Sequence, residues 1–92
     1  MPQTQFNITV RGKVQGVWYR DSTRKVATEM GISGIVRNQP DGTVYIEAVG
    51  TKEQLNQLVE WCKNGPELAR VDEVQVLVQI EVKTYTGFTI TY

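Results

Sequence analysis

The sequence predicts an α+β sandwich, with two helices on one face of a mainly antiparallel sheet, in the order βαββαβ plus a short terminal strand. Three observations carry this. Apolar residues alternate at Phe6, Ile8 and Val10 and again at Val44, Ile46 and Ala48, the period of a half-buried strand. They recur at helical spacing along Tyr19, Thr23, Val26, Ala27 and Met30, and along Leu55, Leu58, Val59 and Cys62, as on a helix with one buried face. Turn and cap residues fall between these runs.

The first strand carries Phe6, Ile8 and Val10 and runs into Gly12-Lys13-Val14-Gln15-Gly16-Val17-Trp18-Tyr19-Arg20. A helix is expected from about Asp21 to Met30, capped by Asp21 or Ser22. Gly31 is placed to end it, with Ile32 folding back as the accompanying apolar contact. Ile32 to Asn38 reads as the second strand. Gln39-Pro40-Asp41-Gly42 reverses the chain, because proline fixes one φ and Asp-Gly tolerates a positive one. Val44, Ile46 and Ala48 return as the third strand of a hairpin. Thr51-Lys52-Glu53-Gln54 matches a capping box, and Asn64-Gly65-Pro66 stops that second helix. Val74, Val76, Val78, Ile80 and Val82 alternate as a long fourth strand, and Phe88, Ile90 and Tyr92 as a short last one. This order is that of the split-βαβ, ferredoxin-like sandwich. Residues 1–92 are expected to form one domain.

Ten basic residues balance ten acidic ones, which argues against broad binding to nucleic acid or anionic membrane. A small anion held at one local site stays compatible. There is no histidine and one cysteine, Cys62. The usual general base is therefore missing, no internal disulfide can form, and zinc or Cys-His chemistry is disfavoured. No run of basic and then apolar residues suggests a leader, and no window is apolar enough to span a membrane. A cytoplasmic protein is the expectation.

The first and second strands are joined by a helical crossover and should point the same way. The glycine-spaced loop and Asn38 then meet at one sheet edge, beside the N-terminus of the first helix. That terminus presents unpaired N–H groups and the positive end of the macrodipole. Gly12 and Gly16 let the loop curl so that N–H groups converge. Arg20 adds a planar fork of donors that fits phosphate oxygens. Asn38 both donates and accepts, so beside a phosphoryl group it could hold a water in line for attack. Without a strong base such a site suits a bond with a good leaving group, such as a carboxyl–phosphate anhydride.

Each piece also has a plainer reading. A glycine pair is more often turn chemistry. An arginine at a helix start is usually solvated, although here it opposes the helix dipole. Asn38 just before a turn is usually a turn residue, and Arg37 and Lys13 read as solvated charges, Cys62 as core, and Trp18 and Tyr19 as packing.

The stretch GKVQGVWYR resembles the acylphosphatase signature G-x-V-Q-G-V-x-[Phe/Tyr]-R. The stretch GIVRNQPDGTV, residues 34–44, is similar to the family's second block. The resemblance covers essentially the whole chain and implies a small stand-alone acylphosphatase that hydrolyses acyl phosphates to a carboxylate and inorganic phosphate, without metal or cofactor. It implies that Arg20 binds the phosphoryl oxygens, that Asn38 orients the attacking water, and that backbone N–H groups of Gln15, Gly16, Val17, Trp18, Tyr19 and Arg20 form the phosphate cradle. The implied partners are the acyl phosphate and inorganic phosphate, on a monomer, with no nucleic acid and no membrane. Two positions depart from the usual pattern. An aromatic often stands where Ile35 does, and phenylalanine is common where Tyr19 is. Ile35 could loosen packing next to Asn38.

Three alternatives stay open. A non-enzymatic anion-binding module could use the same fold. An RNA-binding domain shares the element order, but the third strand, TVYIEAV, offers one tyrosine and a glutamate rather than a stacking platform on a basic surface. The third is a segment of a larger carbamoyl-handling enzyme, which the self-contained length makes the less fitting reading.

Overall fold

The alternating residues Phe6, Ile8 and Val10 are all buried, on a strand β1 that runs Thr4–Lys13 in a computed structural model describing residues 2–92. The chain continues through α1 (Tyr19–Glu29), β2 (Ser33–Asn38), β3 (Val44–Gly50), α2 (Lys52–Cys62), β4 (Arg70–Gln79) and β5 (Phe88–Ile90). The strands form one sheet in the order β4-β1-β3-β2-β5. Pairing is antiparallel except between β2 and β5, which run parallel. Both helices cover one face, as a ferredoxin-like sandwich requires. Ile8, Val10, Val36, Val44 and Ile46 from the sheet meet Ala27, Leu55 and Leu58 from the helices in one fully buried core. Each large aliphatic side chain in it contributes about 1.5–3 kcal/mol.

Local chemistry fixes the helix ends. The Gly31 N–H donates to the Thr28 carbonyl and the Ile32 N–H to the Ala27 carbonyl, the paired bonds of a Schellman motif with Ile32 as its buried contact. The capping box at α2 is complete: Gln54 N–H donates to Thr51 Oγ1 and Thr51 N–H to Gln54 Oε1. The Gln54 amide also donates to the Met30 carbonyl at 2.8 Å, so the residue that caps α2 also ties it to the end of α1.

Two expectations are corrected. Helix α1 starts at Tyr19, not at Asp21, and its N-cap is Trp18, with no side-chain cap bond. Asp21 lies inside the first turn and pairs with Arg24 at 2.9 Å. Strand β4 lies four residues earlier at its start than the valine alternation suggests and ends at Gln79. Val74 and Val76 pack on the core, whereas Val78, Ile80 and Val82 are exposed. After Gln79 the chain leaves the sheet edge and crosses the outer, helix-free face to reach β5. There the Lys83 N–H donates to Gln5 Oε1, the Tyr85 hydroxyl donates to Glu47, and the Gly34 N–H donates to the Gly87 carbonyl. The crossing leaves the middle strand β3 almost wholly buried, Glu47 and Val49 included.

Candidate active site

The loop between β1 and α1 is held from below by two apolar anchors, Val14 and Val17, both buried. It is held from the side by Gln15. The Gln15 amide donates to the carbonyls of Gln39 at 2.8 Å and Thr43 at 2.9 Å, so both of its N–H bonds close onto the β2–β3 turn. That turn is itself braced. The Gly42 N–H donates to the Gln39 carbonyl, and Asp41 accepts from both the hydroxyl and the N–H of Thr43. These Thr43 bonds, the hydroxyl's first, hold the Asp41 carboxyl below its usual range.

Between these anchors the backbone takes an unusual path. Gly16 has φ +76° and Trp18 has φ +67°. For a tryptophan the left-handed region costs on the order of 1–3 kcal/mol. Left- and right-handed residues in alternation turn successive N–H groups to one side, as in an anion nest. Among the described residues, the backbone N–H groups from Gln15 to Asp21 find no hydrogen-bond acceptor; the first helical bond is Ser22 N–H to the Trp18 carbonyl. The N–H groups of Tyr19, Arg20 and Asp21 also lie at the positive end of the α1 macrodipole. Gly12, expected to share in this curl, lies instead within β1. It sits at a bulge against β4 with φ +134°, where a Cβ would run into the Arg70 carbonyl.

The Arg20 side chain emerges from the first turn of α1 and is partly buried. Among the described residues it pairs with no carboxylate, whereas Arg11, Arg24 and Arg70 all do. Its guanidinium lies 5.2 Å from the ring centroid of Tyr92. Asn38, the last residue of β2, shares the inward face with Val36. Its Oδ1 is buried and has no hydrogen-bond partner among the described residues, which is costly for a polar atom and points to a partner from solvent or ligand. Arg20 and Asn38 line one cavity of about 380 Å³, together with Val14, Gly16, Trp18, Tyr19, Asp21, Ile90 and Tyr92.

The remaining candidates separate. Tyr19 is core, and its hydroxyl donates to the Cys62 carbonyl at 2.8 Å; burial raises its pKa well above the usual value. Cys62 is buried, and its thiol is pushed up to about 12 by that burial, so it is not poised as a nucleophile. Trp18, expected to pack, is 74% exposed at the cavity, because the left-handed turn points it away from the core. Arg37 is exposed and stacks on Tyr45 at 4.9 Å. Ile35 lies on the outer sheet face, whereas Asn38 faces inward, so the two do not pack side by side. Sequence reasoning missed the two-pronged clamp of Gln15 and the return of Tyr92 to the cavity. The first leaves no pattern in the sequence. The second follows from β5 pairing parallel to β2, which aligns Val36 with Ile90 and brings the residues after Ile90 alongside Asn38.

Comparison with known proteins adds a common theme. The family model described as Acylphosphatase matches residues 6–90. A curated acylphosphatase from Marinobacter nauticus is 47% identical over 92 residues, covering 100% of both chains. The crystal structure of acylphosphatase from Bacillus subtilis superposes with a TM-score of 0.94 at 34% identity, covering 97% of this chain and 99% of that one. Full-length HypF, in its phosphate- and nucleotide-bound form, matches at 30% identity with a TM-score of 0.87, but only over 12% of its length.

Proposed function

The chain belongs to the acylphosphatase family, and from that premise we propose that it hydrolyses acyl phosphates without metal or cofactor, Arg20 holding the phosphoryl group and Asn38 orienting the attacking water. The observation that carries this reading is the shared cavity. There, among the described residues, an arginine without a carboxylate partner, a run of N–H groups without acceptors and a buried, unpartnered Asn38 Oδ1 converge.

The N–H groups of Gln15, Gly16, Val17, Trp18, Tyr19 and Arg20 cradle the phosphoryl oxygens, and the Arg20 fork takes a second edge. Fixed dipoles of this kind stabilise charge as it develops, without reorganising. Asn38 Oδ1 accepts one O–H of a water and aligns its oxygen with phosphorus, opposite the leaving oxygen. The water oxygen bonds to phosphorus as the phosphorus–oxygen bond to the acyl group breaks, and the carboxylate leaves with the electron pair. The water's proton goes to a phosphoryl oxygen, giving a carboxylate and dihydrogen phosphate. No histidine is required, because a carboxylate is a good leaving group.

The protein acts as a cytoplasmic monomer that takes a small-molecule acyl phosphate and releases inorganic phosphate, binding neither nucleic acid nor membrane. Zero net charge supports that reading, and among the described residues no helix is long and apolar enough to cross a membrane. The deciding experiment follows benzoyl phosphate hydrolysis in the presence of a chelator, for the native chain and Arg20→Ala. Rapid hydrolysis by the native chain and a loss of about 10²–10³-fold in the folded variant is expected. A folded native chain that releases no phosphate would sink the reading.

A further inference from the structure

We infer that the Trp18 and Tyr92 rings form the acyl side of the cavity and make this chain selective for acyl phosphates with aromatic or other bulky apolar acyl groups over acetyl phosphate. The inference deepens the proposed hydrolysis and rests on it.

The first observation is size. A phosphoryl group has four heavy atoms, which at about 30 Å³ for each water-sized group take up roughly a third of the space in a cavity of about 380 Å³. By the same count the four heavy atoms of the acetate part bring the filled share to about two-thirds, while the nine of a benzoate part use roughly all of the remainder.

The second is what lines that remainder. The polar groups assigned to phosphate and water are Arg20, Asn38 and the loop N–H groups. The other side chains at the cavity are Val14, Trp18, Tyr19, Ile90 and Tyr92, all apolar or aromatic, and Asp21, whose carboxylate is paired with Arg24. Trp18 is 74% exposed and Tyr92 99% exposed. Large aromatic surfaces left in water at the mouth of a polar site contribute little to folding, and they gain by covering an apolar ligand.

The third is strain. Trp18 is the non-glycine residue held at positive φ among the described residues. Asparagine or glycine would take that conformation more readily. A bulky ring kept in a disfavoured backbone well, and not packed in the core, points to a task outside the fold. Tyr92, stacked on the Arg20 guanidinium, stands next to the phosphate end, so a flat acyl group leaving phosphorus meets an aromatic ring there.

The test compares kcat/KM for benzoyl phosphate and acetyl phosphate in the native chain, Trp18→Asn, Trp18→Phe and Tyr92→Leu. Asparagine suits the left-handed backbone and removes the ring. Taking the ratio of the two substrates within each variant cancels any general damage to the phosphate cradle. The ratio is expected to fall about five- to tenfold in Trp18→Asn and to recover in Trp18→Phe, mainly through KM, because the rings bind substrate and transition state alike. Tyr92→Leu should lower it in the same direction. In parallel, the affinities of phenylphosphonate and methylphosphonate are measured for each variant, and their ratio should fall in step. Both ratios unchanged within about twofold in Trp18→Asn and Tyr92→Leu would overturn the assignment. A native chain that hydrolyses neither substrate would defeat the hydrolytic reading, and the phosphonate ratio alone would then decide the fate of the aromatic wall.

Discussion

The Gln15 amide donates to the main-chain carbonyl of Gln39, the residue after Asn38, at 2.8 Å. One side chain thus joins the loop that carries the N–H groups to the strand end that carries the carboxamide. Gln15→Met keeps the length and removes both donors, leaving the Gln39 and Thr43 carbonyls without this partner. Stability should fall by about 1–2 kcal/mol, and kcat/KM by roughly 10–100-fold as the two halves of the site lose register. Denaturation midpoints and initial rates check this. Lower stability with a full rate would reduce Gln15 to scaffolding.

Asn38→Ala separates chemistry from folding. The buried Oδ1 has no partner among the described residues, so its removal should leave stability unchanged or slightly higher. The turnover number should drop by about 10²-fold, with a smaller change in KM. A stopped-flow or steady-state series on benzoyl phosphate reads both parameters, and an intact kcat would remove the water-orienting role.

Tyr19→Phe tests the junction between the helices. The lost hydroxyl leaves the buried Cys62 carbonyl without this donor, which should cost about 1–2 kcal/mol. For a chain of this size that lowers the melting temperature by roughly 4–8 °C per kcal/mol. Calorimetry would show it, and an unchanged melting temperature would mean that another donor replaces the hydroxyl.

Glu47 should contribute to the acid limb of stability. Burial alone would raise its pKa, but hydrogen bonds from Tyr85 and Tyr45, with Lys83 nearby, outweigh it and hold the carboxyl below the ordinary value of 4.5. A depressed folded-state pKa stabilises the fold above the unfolded value and loses that contribution as pH falls through the folded one. Glu47→Gln should therefore be less stable than the native chain at neutral pH, by about 1–3 kcal/mol. The gap should narrow as pH drops below 4.5. Urea titrations across that range would expose a constant gap, which would rule the linkage out.

Much of this was legible in the residues themselves, because period and cap chemistry are local. The strand alternation, the Schellman end at Gly31 and the capping box at Thr51 follow from short-range rules and appear in the structure. Arg20 and Asn38 could be brought together because crossover handedness orients β1 and β2. Where reading failed, the cause was long-range. Ile80 and Val82 keep the period of a strand but fall after β4 has ended at Gln79, and Val78, still paired with Phe6, is exposed at that end of the strand. Asp21 and Ser22 are good caps by composition, yet the loop geometry starts the helix at Tyr19. Trp18 looked like core because tryptophan usually is, and only the left-handed backbone turns it outward.

The loop amides from Gln15 to Asp21, which lack acceptors among the described residues, have a thermodynamic corollary. An anion seated on them supplies partners that exist only in the folded chain, so it shifts the unfolding equilibrium by mass action, by about 2.7 kcal/mol at a hundredfold excess over its dissociation constant. On the proposed phosphate-binding role of the loop, the buffer sets part of the apparent stability of this protein. Phosphate should then raise it and slow hydrogen exchange at these amides first, and a melting curve recorded in phosphate would describe the product complex rather than the free protein.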